Sequence, residues 1–183
     1  MKSISLGNLV RAVLVLVLLS AFAGAADDVV SAVHGTVTKL DEGTKTAVIK
    51  TKDGTETTVK FVDKTTVHGT EAGAKDTFHG VKEGSEVVAH YTVKGTEKTA
   101  VEVDKVGKDG IKAVDGTVTG IDRAGKTIGI KTADGTKETF KMTGHAADDA
   151  GKDIGKWTEK TTHVTVYYTE EAGKKTAHFF EKL

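Results

Sequence analysis

The chain has no cysteine and no proline. Without cysteine there are no disulfides, no thiolate metal sites, no thiol nucleophile and no acylated N-terminal cysteine, so a lipoprotein anchor is excluded. Without proline the turns fall to glycine and aspartate. Serine is scarce as well. Beyond residue 25 only Ser31 and Ser85 remain, neither in a nucleophile-elbow context. The acidic residues Asp41, Asp53, Asp122 and Asp134 sit where turn chemistry explains them. These gaps argue against an enzyme. Charge of one sign is missing too, with 26 basic and 26 acidic residues. No basic footprint exists for nucleic acid or anionic lipid.

Long apolar runs are also absent, except for residues 12–23. Lys2 and Arg11 precede that run, and Ala21, Ala23 and Ala25 follow at the spacing a signal peptidase needs. The run is too short to span a membrane, so residues 1–25 are expected to be a secretory signal peptide. The mature chain would keep 24 basic against 26 acidic residues. It is expected in the periplasm or outside the cell, without a membrane span.

What the sequence does contain is a repetition. Shifted by 81 residues, Ala32–Phe61 lies on Ala113–Met142 without a gap, with 17 of 30 positions identical. This is an internal duplication. The second halves align at a shift of 77, where Tyr91-Thr92 meets Tyr168-Thr169 and Lys98–Ala100 meets Lys175–Ala177. The copies are read as residues 31–106 and 112–183, joined by a linker at 107–111.

Each copy reads as strands. Thr, Val and Ile dominate, and β-branched residues suit a pleated surface. Ala47 and Ile49 alternate with Val48 and Lys50, and Ile128 and Ile130 repeat the pattern. Val59 and Phe61, then Phe140 and Met142, mark the next inward face. Asp53-Gly54 and Asp134-Gly135 are hairpin signals that predict two turn residues at positive φ. Gly35 and Gly116 predict a bulge or sharp coil inside each first strand. Three strands, a longer connection with room for a short helix, then two strands is the order of an OB-type barrel. The expected fold is therefore all-β: two tandem five-stranded OB-like small barrels, each with a short helical or loop connection after its third strand. The inward set predicted for the first copy includes Val37, Val87, Ala89, Tyr91, Ala100 and Val103. That for the second includes Val118, Val164, Val166, Tyr168, Ala177 and Phe180.

The pieces Gly35–Asp41, Thr46–Thr51, Asp53–Thr55, Gly84–Val87 and Thr99–Val103 together resemble a bacterial family of secreted OB-like domains of unknown function. The second copy keeps most of them but has no glycine at the late position, near Lys160. The resemblance implies the fold and carries no established chemistry.

Seven histidines are the main chemical resource. His68 and His145 lie in the connections of the two copies, and His79 shares the first connection. With neighbours Glu71, Asp76, Asp148 and Asp149 they could form an oxygen/nitrogen metal site. No paired His spacing marks such a site, and surface histidines account for the same residues. Met142, aligned with Phe61, reads as core rather than as a thioether ligand, and Trp157 is the lone tryptophan. The outward residues Lys50, Thr58 and Lys60, their partners Lys131, Thr139 and Lys141, and the aromatic Tyr167 form a candidate binding face for a cell-envelope polymer or protein. No cofactor is implied. The expectation is a non-enzymatic binding or structural module, repeated twice so that it can engage a partner bivalently. The alternative is a periplasmic metal-handling protein, for copper or another divalent metal, using loop histidines.

Overall fold

The computed structural model describes residues 30–70, 74–146 and 162–183. The expected signal peptide, Trp157 and Lys160 lie outside the described residues. Among those described, no helix is long and apolar enough to cross a membrane.

The first copy consists of β1 (Val30–Asp41), β2 (Thr46–Lys50), β3 (Glu56–Lys60), β4 (Thr66–His68), β5 (Glu86–Lys94) and β6 (Glu97–Lys105). Its strand order is β3-β2-β1-β5-β6-β4, and a parallel β3–β6 pairing, Lys60 opposite Thr99, closes the ring. The second copy consists of β7 (Lys112–Asp122), β8 (Thr127–Thr132), β9 (Lys137–Met142), β10 (His163–Glu171) and β11 (Lys174–Lys182). It is a closed barrel in the order β10-β11-β9-β8-β7, with β11 and β9 parallel. Both copies are therefore OB-like barrels, and closure leaves no free edge among the five principal strands.

The predicted inward residues build the two cores. One holds Val37, Ile49, Val59, Phe61, Val87, Ala89, Ala100 and Val103, with Tyr91 partly buried against it. The other holds Val118, Ile130, Phe140, Val164, Val166, Tyr168, Ala177 and Phe180. Period-two alternation places them there, because successive side chains of a strand point to opposite faces.

Three details differ from the sequence reading. The first connection carries a sixth strand, β4, and turns rather than a helix among its described residues, because Thr66–His68 finds a parallel partner in Glu102–Asp104. In the second connection residues 144–146 are helical. The Asp-Gly turns have only Gly54 and Gly135 at positive φ. Gly54 N–H donates to Thr51 O, and the Asp53 carboxylate accepts from Thr55 N–H, so a three-residue loop with glycine in its left-handed position replaces the two-residue turn. Gly35 and Gly116 are not the bulges; the register shifts after Val37 and Val118. A Cβ at Gly35 would lie 2.3 Å from Lys50 O, so glycine there lets β2 cross β1 closely. The linker 107–111 is itself a hydrogen-bonded turn: Gly107 N–H donates to Ile111 O and Ile111 N–H to Lys105 O.

That turn aims Ile111 into a third apolar cluster, with Val88 of the first copy and Tyr167 of the second, flanked by Val106 and Phe179. The copies thus pack on each other through the outer faces of β5–β6 and β10–β11. This explains why β5 and β10 are buried over consecutive residues instead of alternately.

Candidate metal centre

Two polar clusters lie at the junction. In one, His34 on β1 stacks on Tyr167, with ring centroids 4.6 Å apart. The His34 ring nitrogens meet Glu86 of its own copy at 2.9 Å and Glu181 of the other at 3.1 Å. Tyr167 also donates to Glu181 at 3.0 Å. Burial, reinforced by that carboxylate, holds the Tyr167 phenol well above its ordinary pKa. Tyr167 is therefore a junction residue, 4% exposed, and not part of an exposed binding face. Its sequence position predicts an outward side chain, and outward here means into the other barrel.

The second cluster gathers four histidines and two carboxylates. Glu102 and Asp104 sit on the outer face of β6. Parallel pairing of β4 with β6 sets His68 opposite Asp104, and antiparallel pairing sets His90 on β5 opposite Glu102. The second copy contributes His145, after β9, and His178 on β11. His178 is the extra residue of a bulge: Tyr167 pairs with Phe179 and Tyr168 with Ala177, which leaves His178 between them. A bulge re-aims its side chain. Val101 occupies the equivalent bulge of the first copy, between Glu102 and Ala100.

The donor atoms converge on Glu102 and Asp104. His68 Nε2 lies 3.6 Å from Glu102 Oε1, and His178 Nδ1 lies 3.7 Å from the same oxygen. His178 Nδ1 is 3.5 Å from Asp104 Oδ2, and His145 Nε2 is 3.9 Å from Glu102 Oε2. His68, Glu102 and Asp104 each offer a ligand atom within 4.8 Å of the others. His178 Nδ1 also reaches toward both carboxylates of that group. The His90 and His145 rings pack with centroids 5.5 Å apart.

These separations are long for hydrogen bonds. They are close to the edge of a tetrahedral site, which for bonds of about 2.0–2.2 Å comes to roughly 3.3–3.6 Å. Asp104 is fully buried, and neither of its oxygens nor His178 Nδ1 has a hydrogen-bond partner among the described residues. The other nitrogen of His178 is 3.0 Å from Thr169 Oγ1. A proton on Nε2 donated to that hydroxyl frees the Nδ1 lone pair, the outer-shell arrangement that orients ligating histidines.

Burial pushes the His178 imidazolium down, but the carboxylates of Asp104 and Glu102 outweigh it and leave its pKa raised to about 9. The His178 contact holds Glu102 below the ordinary carboxylate range. Burial depresses His90, against the pull of Glu102 and Asp104. The cluster thus favours positive charge at its centre, supplied by a proton or by a metal ion.

Of the three histidines singled out from sequence, His68 and His145 come together here, from different copies. His79 does not; it sits in its own turn at φ 53° with its carbonyl accepting from Thr70. Asp76 gives its carboxylate to the N–H groups of Phe78 and Gly80. Glu71, Asp148 and Asp149 lie outside the described residues. Sequence reasoning missed His90, Glu102, Asp104 and His178. The available signal was the unbroken apolar runs Val87–Tyr91 and Val164–Tyr168, which mark strands covered on both faces. Lys50, Thr58, Lys131, Thr139 and Lys141 are exposed on β2, β3, β8 and β9, and Lys60 pairs with Glu97 at 3.1 Å. They do not join the histidine cluster.

No family model and no curated protein matches the chain. Among solved structures it is similar to Ag(I)CusF, at 13% identity and a TM-score of 0.32, over 42% of this chain and 97% of that one. It is also similar to apo-CusF residues 6–88 from Escherichia coli, at 13% identity and a TM-score of 0.34, over 46% of this chain and 95% of that one. Likeness of this degree assigns no ligand.

Proposed function

We propose that the protein is a non-enzymatic metal-binding module that takes up one divalent cation between its two barrels. The observation that carries this reading is the contact between the buried Asp104 and the partly buried His178. Neither Asp104 oxygen nor His178 Nδ1 has a hydrogen-bond partner among the described residues, and His178 Nδ1 lies 3.7 Å from Glu102 Oε1 and 3.5 Å from Asp104 Oδ2. Leaving such groups unsatisfied in the interior costs about 1–3 kcal/mol each, more when charged. A cation coordinated by them removes that cost. Imidazole and carboxylate donors suit Zn(II), Cu(II) or Ni(II), whereas Cu(I) prefers thioether or thiolate. Met142 is buried in the second core and outside the cluster. The apolar N-terminal run and the resemblance to secreted OB-like domains support export, so the metal would be handled outside the cytoplasm.

Calorimetric titration of the metal-free mature protein with each of these ions tests the reading. One equivalent of Zn(II) or Cu(II) should bind with Kd below about 1 μM, near −8 kcal/mol. Glu102→Gln and His178→Gln should each weaken binding at least tenfold. Absence of binding, or affinities that neither change alters, would refute it.

A further inference from the structure

The donors of the cluster are divided between the copies. Glu102, Asp104 and His68 belong to the first barrel, and His178 and His145 to the second. We infer that the ion acts as a clasp: metal binding and docking of the two barrels are one coupled equilibrium. This rests on the metal reading above.

With the barrels apart, the first retains a three-donor group on an open strand face and the second retains isolated histidines. With the barrels docked, His178 and His145 arrive next to the carboxylates. They are tethered by the five-residue turn at 107–111, so they act at high effective concentration. The docked form therefore binds the ion more tightly, and by linkage the ion favours the docked form by the same factor.

The rest of the junction consists of contacts that hold no proposed ligand. Its apolar strip consists of Val88, Ile111 and Tyr167 with Val106 and Phe179 at its margin. The His34–Glu86–Glu181 bridge lies on the same junction and shares none of the metal donors. Docking also buries Asp104 without hydrogen bonds among the described residues, a penalty that the ion relieves. Hence junction residues that are not themselves ligands should set the metal affinity.

Ile111→Ser and His34→Ala alter the strip and the bridge while leaving every proposed ligand in place. Zn(II) titration of each full-length mature variant, checked for native far-UV circular dichroism, should give a Kd at least fivefold weaker than that of the parent. Because the chain has no cysteine, spin labels can also be placed uniquely at Glu42→Cys and Arg123→Cys, equivalent exposed turn positions of the two copies. Zn(II) should narrow the inter-label distance distribution, and a chelator should broaden it. A parent that binds Zn(II), with variant affinities within twofold and a distance distribution indifferent to metal, would overturn the clasp and leave the metal site standing. A parent that binds no metal would overturn both.

Discussion

His178 Nδ1 and Asp104 Oδ2 face each other 3.5 Å apart across the two barrels, one from the bulge of β11 and the other from the buried end of β6. In the metal-free protein this contact makes stability depend on pH. The folded pKa of His178 is raised to about 9, against about 6.5 for an unfolded histidine. Its contribution is fully present below about pH 6.5 and is lost as pH rises through 9. Glu102 and His90, both depressed, act on the acid side, their contributions being lost as pH falls. The melting temperature of metal-free protein should therefore fall between pH 6.5 and 9. His178→Gln should remove most of that slope. An unchanged slope in the variant would separate His178 from the effect.

Occupancy by a metal should reverse the trend over the same range. A ligating His178 must give up its proton, so Zn(II) competes with that proton and its affinity should rise from pH 6.5 to 8. Titrations at three pH values in a non-coordinating buffer measure this. Affinity that falls as pH rises would exclude His178 as a ligand.

Phe140 fills the centre of the second barrel, fully buried and packed edge-on against Tyr168 at 5.1 Å. Phe140→Ala should cost about 3–5 kcal/mol in urea unfolding. For a barrel of this size that is a large share of the total stability. A loss below about 1 kcal/mol would contradict the packing described.

Much of this core was legible in the sequence because one physical rule, period-two alternation, holds along Thr46–Lys50 and Glu56–Lys60 and again along Thr127–Thr132 and Lys137–Met142. The duplication supplied a second reading of each position. Asp41 and Asp122 illustrate how far it reaches: each receives a backbone N–H in the turn after its first strand, from Thr44 and Gly125. The metal cluster was not legible, because no local rule joins its members. Glu102 and Asp104 read as ordinary outward residues of a strand, and they are buried only because a second barrel covers that face. His178 has Val101 as its counterpart, so comparing the copies treats it as a variation at a surface position. What decides its role is a bulge, which the sequence around Ala177 does not announce. His68 and His145 were singled out for lying in loops, but the reason they meet is that the two copies pack β5–β6 on β10–β11.

Gly35 and Gly116 offer a test of the barrel closure itself. A Cβ at Gly116 would lie 2.3 Å from Ile130 Cγ2 and 2.8 Å from Lys131 O. Neither glycine has a positive φ, so the constraint is space and not backbone conformation. Alanine at either position should destabilise its barrel by about 1–3 kcal/mol, the usual range for overpacking. Gly54→Ala should also destabilise, but through its φ of 89° in a turn where a Cβ meets nothing. The two causes separate by partner: Gly116→Ala should cost less in an Ile130→Ala background, which lacks the clashing Cγ2, than in the parent, whereas no neighbouring change should rescue Gly54→Ala. Denaturant melts of the single and double variants give the comparison, and equal losses with and without the Ile130 change would discard the steric account.

His79 and His145 provide the sharpest contrast within the candidate ligands. Both lie in connections, and sequence position alone treats them alike. His79 is anchored through its backbone: its N–H donates to Asp76 O, its carbonyl accepts from Thr70, and its φ of 53° lies in the left-handed region. Glycine suits that conformation, where a residue with a Cβ carries about 1–2 kcal/mol of strain. His79→Gly should therefore leave the fold intact and the Zn(II) affinity within twofold of the parent. His145 reaches Glu102 across the junction at 3.9 Å and packs on His90. His145→Ala should weaken Zn(II) binding several-fold while leaving the melting temperature of metal-free protein nearly unchanged, since its ring is partly exposed. Parallel titrations of the two variants decide the matter. If His79→Gly lost the metal and His145→Ala kept it, the ion would belong to the first connection and not to the space between the barrels.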